Sequence, residues 1–163
     1  NRIAWLGLST FTTVFAGVFV ATTPGADQIC GVSGDVNSWP LCNGDYLPEI
    51  VDLEGQSQII HRWLVAFVGG ILLIACWYVR NEQIQHQHGI ILRNWIWAAT
   101  ALYCLNIAIG ALYILSWSPD NETFREILSL IHLLVGSTSF LTLATSWLAI
   151  SAFALHEPEP EAL

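Results

Sequence analysis

Two histidines, His61 and His132, lie inside long apolar stretches of the chain, in "IIHRW" and "IHLLVG". An ionisable side chain inside a membrane helix is costly and marks a functional site by default. If their helices run in one direction and bring the rings to one depth, two imidazoles reach a single iron from opposite faces. That is the chemistry of axial heme ligation in a helix bundle. With helices beginning near Gln58 and Glu126, His61 lies about 5 Å and His132 about 9 Å below the outer surface. Gly136, one turn after His132, would let a flat macrocycle approach the helix, and Gly69 and Gly70 stand two turns beyond His61. Arg62 and Arg125 are placed to meet heme propionates at the outer interface. The plainer reading is that each histidine hydrogen-bonds across helices and binds nothing. The matched depth and the flanking glycines favour ligation.

The other histidines carry less. His86 and His88, in "QIQHQHG", fall in a polar link and read as a solvated pair rather than a metal site. His156 belongs to the acidic "HEPEPEAL" end and is assigned no role.

The elements that must position these residues are membrane spans. Of 163 residues, 54% are hydrophobic and only 11% charged, well below the quarter or so usual in soluble domains. The basic residues are five arginines, and the net charge of -8 comes from acids in loops and tail. With no basic patch to neutralise phosphates, nucleic-acid binding is not supported. Runs of roughly 20 apolar residues match a hydrocarbon core of about 30 Å. Four such runs occur, at residues 3–22, 58–79, 94–117 and 126–153. They predict an all-α, antiparallel four-helix membrane bundle (residues 1–153) with a long loop at 23–57 and a disordered acidic tail at 154–163. The first run is too long for a signal-peptide core and is read as a retained helix.

Arginine sets the expected direction. Arg2, Arg80 and Arg93 fall on the side of the termini, which reads as cytoplasmic. Arg62 and Arg125 fall on the other, amid acids of the 23–57 loop and the 118–125 link. The 23–57 loop is thus expected outside, in a bacterial or archaeal plasma membrane, where disulfides persist. Cys30 and Cys42 are the two loop cysteines, while Cys76 and Cys104 read as core thiols.

Several stretches resemble one family. "SWPLCNG" at 38–44, "HRW" at 61–63, "GALYIL" at 110–115 and "IHLLVG" at 131–136, in that order, resemble the N-terminal half of heme A synthase. These polytopic enzymes oxidise a methyl group of heme O to the formyl group of heme A for cytochrome oxidase. The resemblance implies heme ligation by His61 and His132, a Cys30–Cys42 disulfide, and a loop acting as a lid with Trp39 and Pro40 beneath it. Without the resemblance, Trp39 reads as an interfacial anchor. Such families are usually built of two four-helix halves, and this chain matches one. A second heme would then need another protomer, so a homo-oligomer is expected, or a place in a larger complex.

The chain departs from the family pattern at one chemically important position. A glutamate expected three residues before the helix-two histidine is replaced by Gln58, and an amide cannot act as a general base. Glu54, Gln58 and His61 share one face if the helix extends outward, so Glu54 is the candidate substitute, with Glu126 near the opposite helix start. Three readings follow: a compact heme A synthase-like oxidase, a non-catalytic heme-binding subunit of a respiratory or photosynthetic complex, and a structural subunit without cofactor. The heme would be heme b, heme O or heme A.

Overall fold

The computed structural model describes residues 2–31, 35–49, 52–81 and 87–154. Four long helices account for most of them: α1 (Arg2–Thr22), α2 (Leu53–Asn81), α3 (Gln87–Leu115) and α4 (Glu122–Ala154), with a 3-10 turn at Pro119–Asn121. Each is long and apolar enough to cross a membrane. In lipid, a helix satisfies every backbone polar group within its own segment, which is why this chemistry folds as helices.

Helices neighbouring in sequence pack side by side, and α4 closes the ring against α1. Among the described residues, no packing links α1 to α3 or α2 to α4. The bundle is therefore square, with α2 and α4 on one diagonal and running in the same direction. Large apolar side chains such as Trp5, Phe15, Phe67, Ile74, Trp77, Leu134 and Leu148 point outward, as a lipid-facing surface requires.

The core proper occupies the half of the bundle nearer the chain termini. Val68, Leu72, Ala99, Tyr103 and Leu143 form one buried cluster, and Cys76, Val79 and Ile96 form a second. Cross-helix hydrogen bonds lie among them. The Ser139 hydroxyl donates to the Ala99 carbonyl at 2.9 Å, and the Cys76 thiol meets the Thr100 hydroxyl at 3.2 Å. The Tyr103 hydroxyl donates to the Val65 carbonyl at 3.1 Å, and its ring packs on Gly69. Cys76 is thus a core thiol as expected, whereas Cys104 faces outward.

Three helices begin earlier than the apolar runs suggest. α2 starts at Leu53 because Asp52 caps it: its carboxylate accepts the Gly55 amide at 2.7 Å. α4 starts at Glu122, after a 3-10 turn whose leading Ser118 hydroxyl accepts the Asp120 amide. α3 starts at Gln87, so His88 lies in its first turn and not in a link. Hydropathy marks where lipid begins, while capping marks where a helix begins. His86, His156 and all but the first residue of the 154–163 tail lie outside the described residues.

The 23–52 connection is organised by a Cys30–Cys42 disulfide with Cα atoms 4.2 Å apart. Cys42 and Asp45 exchange both backbone hydrogen bonds across Asn43 (φ 53°) and Gly44 (φ 89°). Positive φ at both central positions defines a type I′ turn, for which Asn-Gly is the favoured pair. The Asn43 side chain then donates to the Ile29 carbonyl at 2.9 Å, fastening the turn to the other cysteine's strand of chain. The Trp39–Pro40 peptide bond is cis.

Candidate functional site

Above the apolar core the interior changes character. α2 presents Gln58, His61, Val65, Val68 and Leu72 along one face, polar at the loop end and apolar below. Measured from the true helix starts, His61 lies about 12 Å and His132 about 15 Å in, so their depths match within about 3 Å. Both rings sit far below the loop end, deeper than the apolar runs implied. They stand on the diagonal pair of helices, α2 and α4.

Each imidazole rests on a glycine of the preceding helix. A Cβ on Gly17 of α1 would come within 3.0 Å of the His61 ring, and a Cβ on Gly110 of α3 within 2.8 Å of the His132 ring. Both glycines lie five residues before the end of their helix. Residues four before them offer backbone to the ring. The Asn106 carbonyl accepts His132 Nδ1–H at 2.9 Å, and the Thr13 backbone lies beside His61. The α1–α2 and α3–α4 hairpins thus repeat one glycine–histidine clasp around a shared interior. Composition offered no sign of this, although a polar residue four before a glycine recurs in both helices.

The remaining expected residues are placed as follows. Gln58 is buried, and Glu54 is half-buried one turn outward on the same face. Gly136 lies against Asn106, whose Nδ2 would be 2.9 Å from a Cβ there. Arg62 reaches out of the bundle and donates through Nη1 to the Leu41 carbonyl at 2.6 Å, tying "WPLCNG" to α2. Arg125 pairs with Asp27 of the loop at 2.9 Å and packs over the Tyr113 ring, and the Tyr113 hydroxyl donates to the same carboxylate. Trp39 is half-buried in the loop. The loop is thus fastened over the histidine end of the bundle at two points, on α2 and on α3–α4. Asp27 and Tyr113, which complete the second fastening, had no sequence signal beyond the surrounding acids.

Several buried polar atoms here have no protein partner: His61 Nδ1, Arg62 Nη2, Asn106 Oδ1 and Arg125 Nε. Unsatisfied buried donors and acceptors normally cost about 1–3 kcal/mol each, and several around one interior call for an explanation. Two imidazoles, with an unpaired guanidinium N–H on Arg62 beside His61 and another on Arg125 seven residues outward of His132, fit a heme and its propionates. Among the described residues there is no cluster of three or more metal-ligating side chains, so a conventional three- or four-ligand metal centre has no counterpart there.

Comparison with known proteins gives one partial likeness. A heme A synthase of Bacillus mycoides (strain KBAB4) is 31% identical over 77 residues, which is 45% of this chain and 23% of that protein. Heme A synthases of Bacillus cereus (strain AH187) and Bacillus anthracis (strain CDC 684 / NRRL 3495) match to the same extent. The chain is a distant, partial relative of heme A synthases. The match spans less than a quarter of the length of these curated relatives. No family model matches the chain, and no solved structure matches it.

Proposed function

We propose that this protein binds one heme between His61 and His132, and that it acts on that heme as a heme A synthase-like oxidase, converting the methyl group of heme O to the formyl group of heme A. The observation that carries the binding half is the pair of clasped imidazoles at matched depth on same-direction, diagonal helices. The relatives' activity supplies the reaction half. When bound, heme would supply an iron centre with its redox chemistry and, at its edge, the reacting methyl group.

The chain's own residues would do the rest. His61 and His132 would hold the iron, and Arg62 Nη2 and Arg125 Nε would meet anionic propionates toward the loop. The fastened loop would exclude water and lipid from the site. Taking a methyl group to a formyl group removes four electrons and four protons and adds an oxygen atom from water, so an external electron acceptor would be a co-reactant. Glu54, on the histidine face of α2, would be the carboxylate to accept protons. Homo-oligomers, or incorporation in a larger complex, would supply a second heme where the reaction needs one. The 23–52 loop would face the outside and both helix-bundle ends bearing the termini the cytoplasm.

A second reading, a non-catalytic heme-binding subunit, is favoured by one specific observation. Gln58 is the buried polar residue one turn outward of His61, where the family carries a carboxylate. Pyridine hemochrome analysis of the purified protein, with and without co-expressed heme O synthesis, tests both. Heme O converted to heme A establishes the oxidase, and heme b alone establishes the passive subunit. His61→Ala and His132→Ala should each abolish a six-coordinate low-spin spectrum. Wild-type heme content and spectrum in both variants would exclude the site.

A further inference from the structure

A heme-ligating imidazole must offer one unprotonated nitrogen, and what fixes the tautomer is the partner of the other. His132 and His61 differ in this respect. His132 Nδ1 meets the Asn106 carbonyl at 2.9 Å, and a carbonyl can only accept, so Nδ1 carries the proton. His61 Nδ1 is buried with no partner.

The accepting carbonyl lies in the middle of a helix, where it is already bonded to the amide four residues on. Its second lone pair is reachable only because that fourth residue is Gly110. A Cβ at Gly110 would stand 3.2 Å from His132 Nδ1 and 2.8 Å from Cε1, in the space the ring occupies. On the other side, Gly136 leaves room for the Asn106 side chain, which would meet a Cβ there at 2.9 Å. Asn106 is thereby wedged between α3 and α4 at the level of the ring, held by the missing side chains of two glycines.

We infer that the Asn106 carbonyl, laid open by Gly110, is the positioning group of the site: it fixes His132 as the Nδ1–H tautomer and leaves Nε2 as the ligating nitrogen. This rests on the heme-binding reading for its purpose, but not for its existence. His132 is the oriented ligand, set before any heme arrives. His61, packed on Gly17 beside the Thr13 backbone but with no hydrogen bond on Nδ1, is the less firmly oriented of the two.

The full-length chain, labelled with 15N-histidine and reconstituted in lipid without heme, tests the seat directly. At alkaline pH the His132 signals should show a protonated Nδ1 and an unprotonated Nε2 in a single tautomer. A protonated Nε2, or an averaged pair, overturns the inference. Gly110→Ala should give the averaged pair and weaken heme retention about tenfold or more, as loss of an orienting partner does. Alanine favours helix over glycine, so the helix itself is not put at risk. Gly17→Ala, which crowds only His61, should leave the His132 tautomer unchanged, and a change there would also overturn the inference. A fixed His132 tautomer together with undiminished heme content in His132→Ala would uphold the seat and refute the heme-ligand reading. Heme lost in His132→Ala with an averaged wild-type tautomer would do the reverse.

Discussion

Replacing Asp27 with Asn should loosen the loop where it crosses the histidine end of the bundle. Asp27 accepts hydrogen bonds from Arg125 Nη2 at 2.9 Å and from the Tyr113 hydroxyl at 3.0 Å. The pair is neither free in water nor sealed: the Arg125 side chain is 13% exposed and that of Asp27 30%. Exposed pairs contribute at most about 1 kcal/mol, and breaking a sealed pair costs roughly 3–5 kcal/mol. An intermediate burial places the coupling at about 1.5–2 kcal/mol, screened downward by the open side of Asp27. Arg125 Nε already lacks a partner, so losing the carboxylate leaves a second unmatched part of the same guanidinium. About 1.4 kcal/mol is a tenfold change in an equilibrium, so the local opening should become roughly tenfold more frequent. Hydrogen exchange reads it at the Ala26 and Gln28 amides, which bond to the Thr23 and Gly25 carbonyls in the turns around Asp27. A double-mutant cycle with Arg125→Gln isolates the pair. Additivity of the two substitutions within about 0.5 kcal/mol would refute the fastening.

Reducing or deleting the Cys30–Cys42 bond, whose cysteines are 12 residues apart, should destabilise the loop by about 3 kcal/mol. The helices lie outside that ring, so helical circular dichroism should hold while loop proteolysis accelerates. Gly17→Ala brings a Cβ within 3.0 Å of the His61 ring and should perturb the low-spin heme spectrum without altering helix content. Under the oxidase reading, Glu54→Gln abolishes heme A formation in a host supplied with heme O, and Gln58→Glu preserves it. Undiminished heme A in Glu54→Gln would remove the carboxylate from the mechanism.

The number of helices and their antiparallel order were legible because lipid imposes a length and a uniform polarity on each span. The pairing of Cys30 with Cys42 was legible only through family resemblance. Where a helix begins was not legible from hydropathy. Asp52 could have shown it, since "VDLEG" places a capping carboxylate three residues before a glycine amide. Which face of a span turns inward was harder still, because a helix apolar all round carries no stripe to read, and α3 is of that kind. Gly110 and Asn106 therefore stayed hidden among apolar neighbours. Arg125 was assigned a propionate from its position alone, and its pairing with Asp27, 98 residues away in sequence, is a property of the folded loop.

The distribution of packing along the bundle bears on what the site can do. At the end nearer the termini, Leu72, Ala99 and Leu143 are fully buried, and the Ser139 and Thr100 hydroxyls are spent on cross-helix and in-helix carbonyls, with Ser146 Oγ the unpartnered one. At the loop end, the interior carries two imidazoles, an amide at Gln58, and polar atoms without protein partners. Filling that end with apolar side chains would have been the cheaper fold, since unsatisfied buried polar groups oppose folding. The stability of the closed end, and of a loop fastened at Arg62 and Arg125, is what permits the other end to remain unmatched. The two hairpins converge on the same solution from different sequences, Thr13 with Gly17 and Asn106 with Gly110, and the resulting interior is symmetric in its imidazoles but not in how firmly each ring is held.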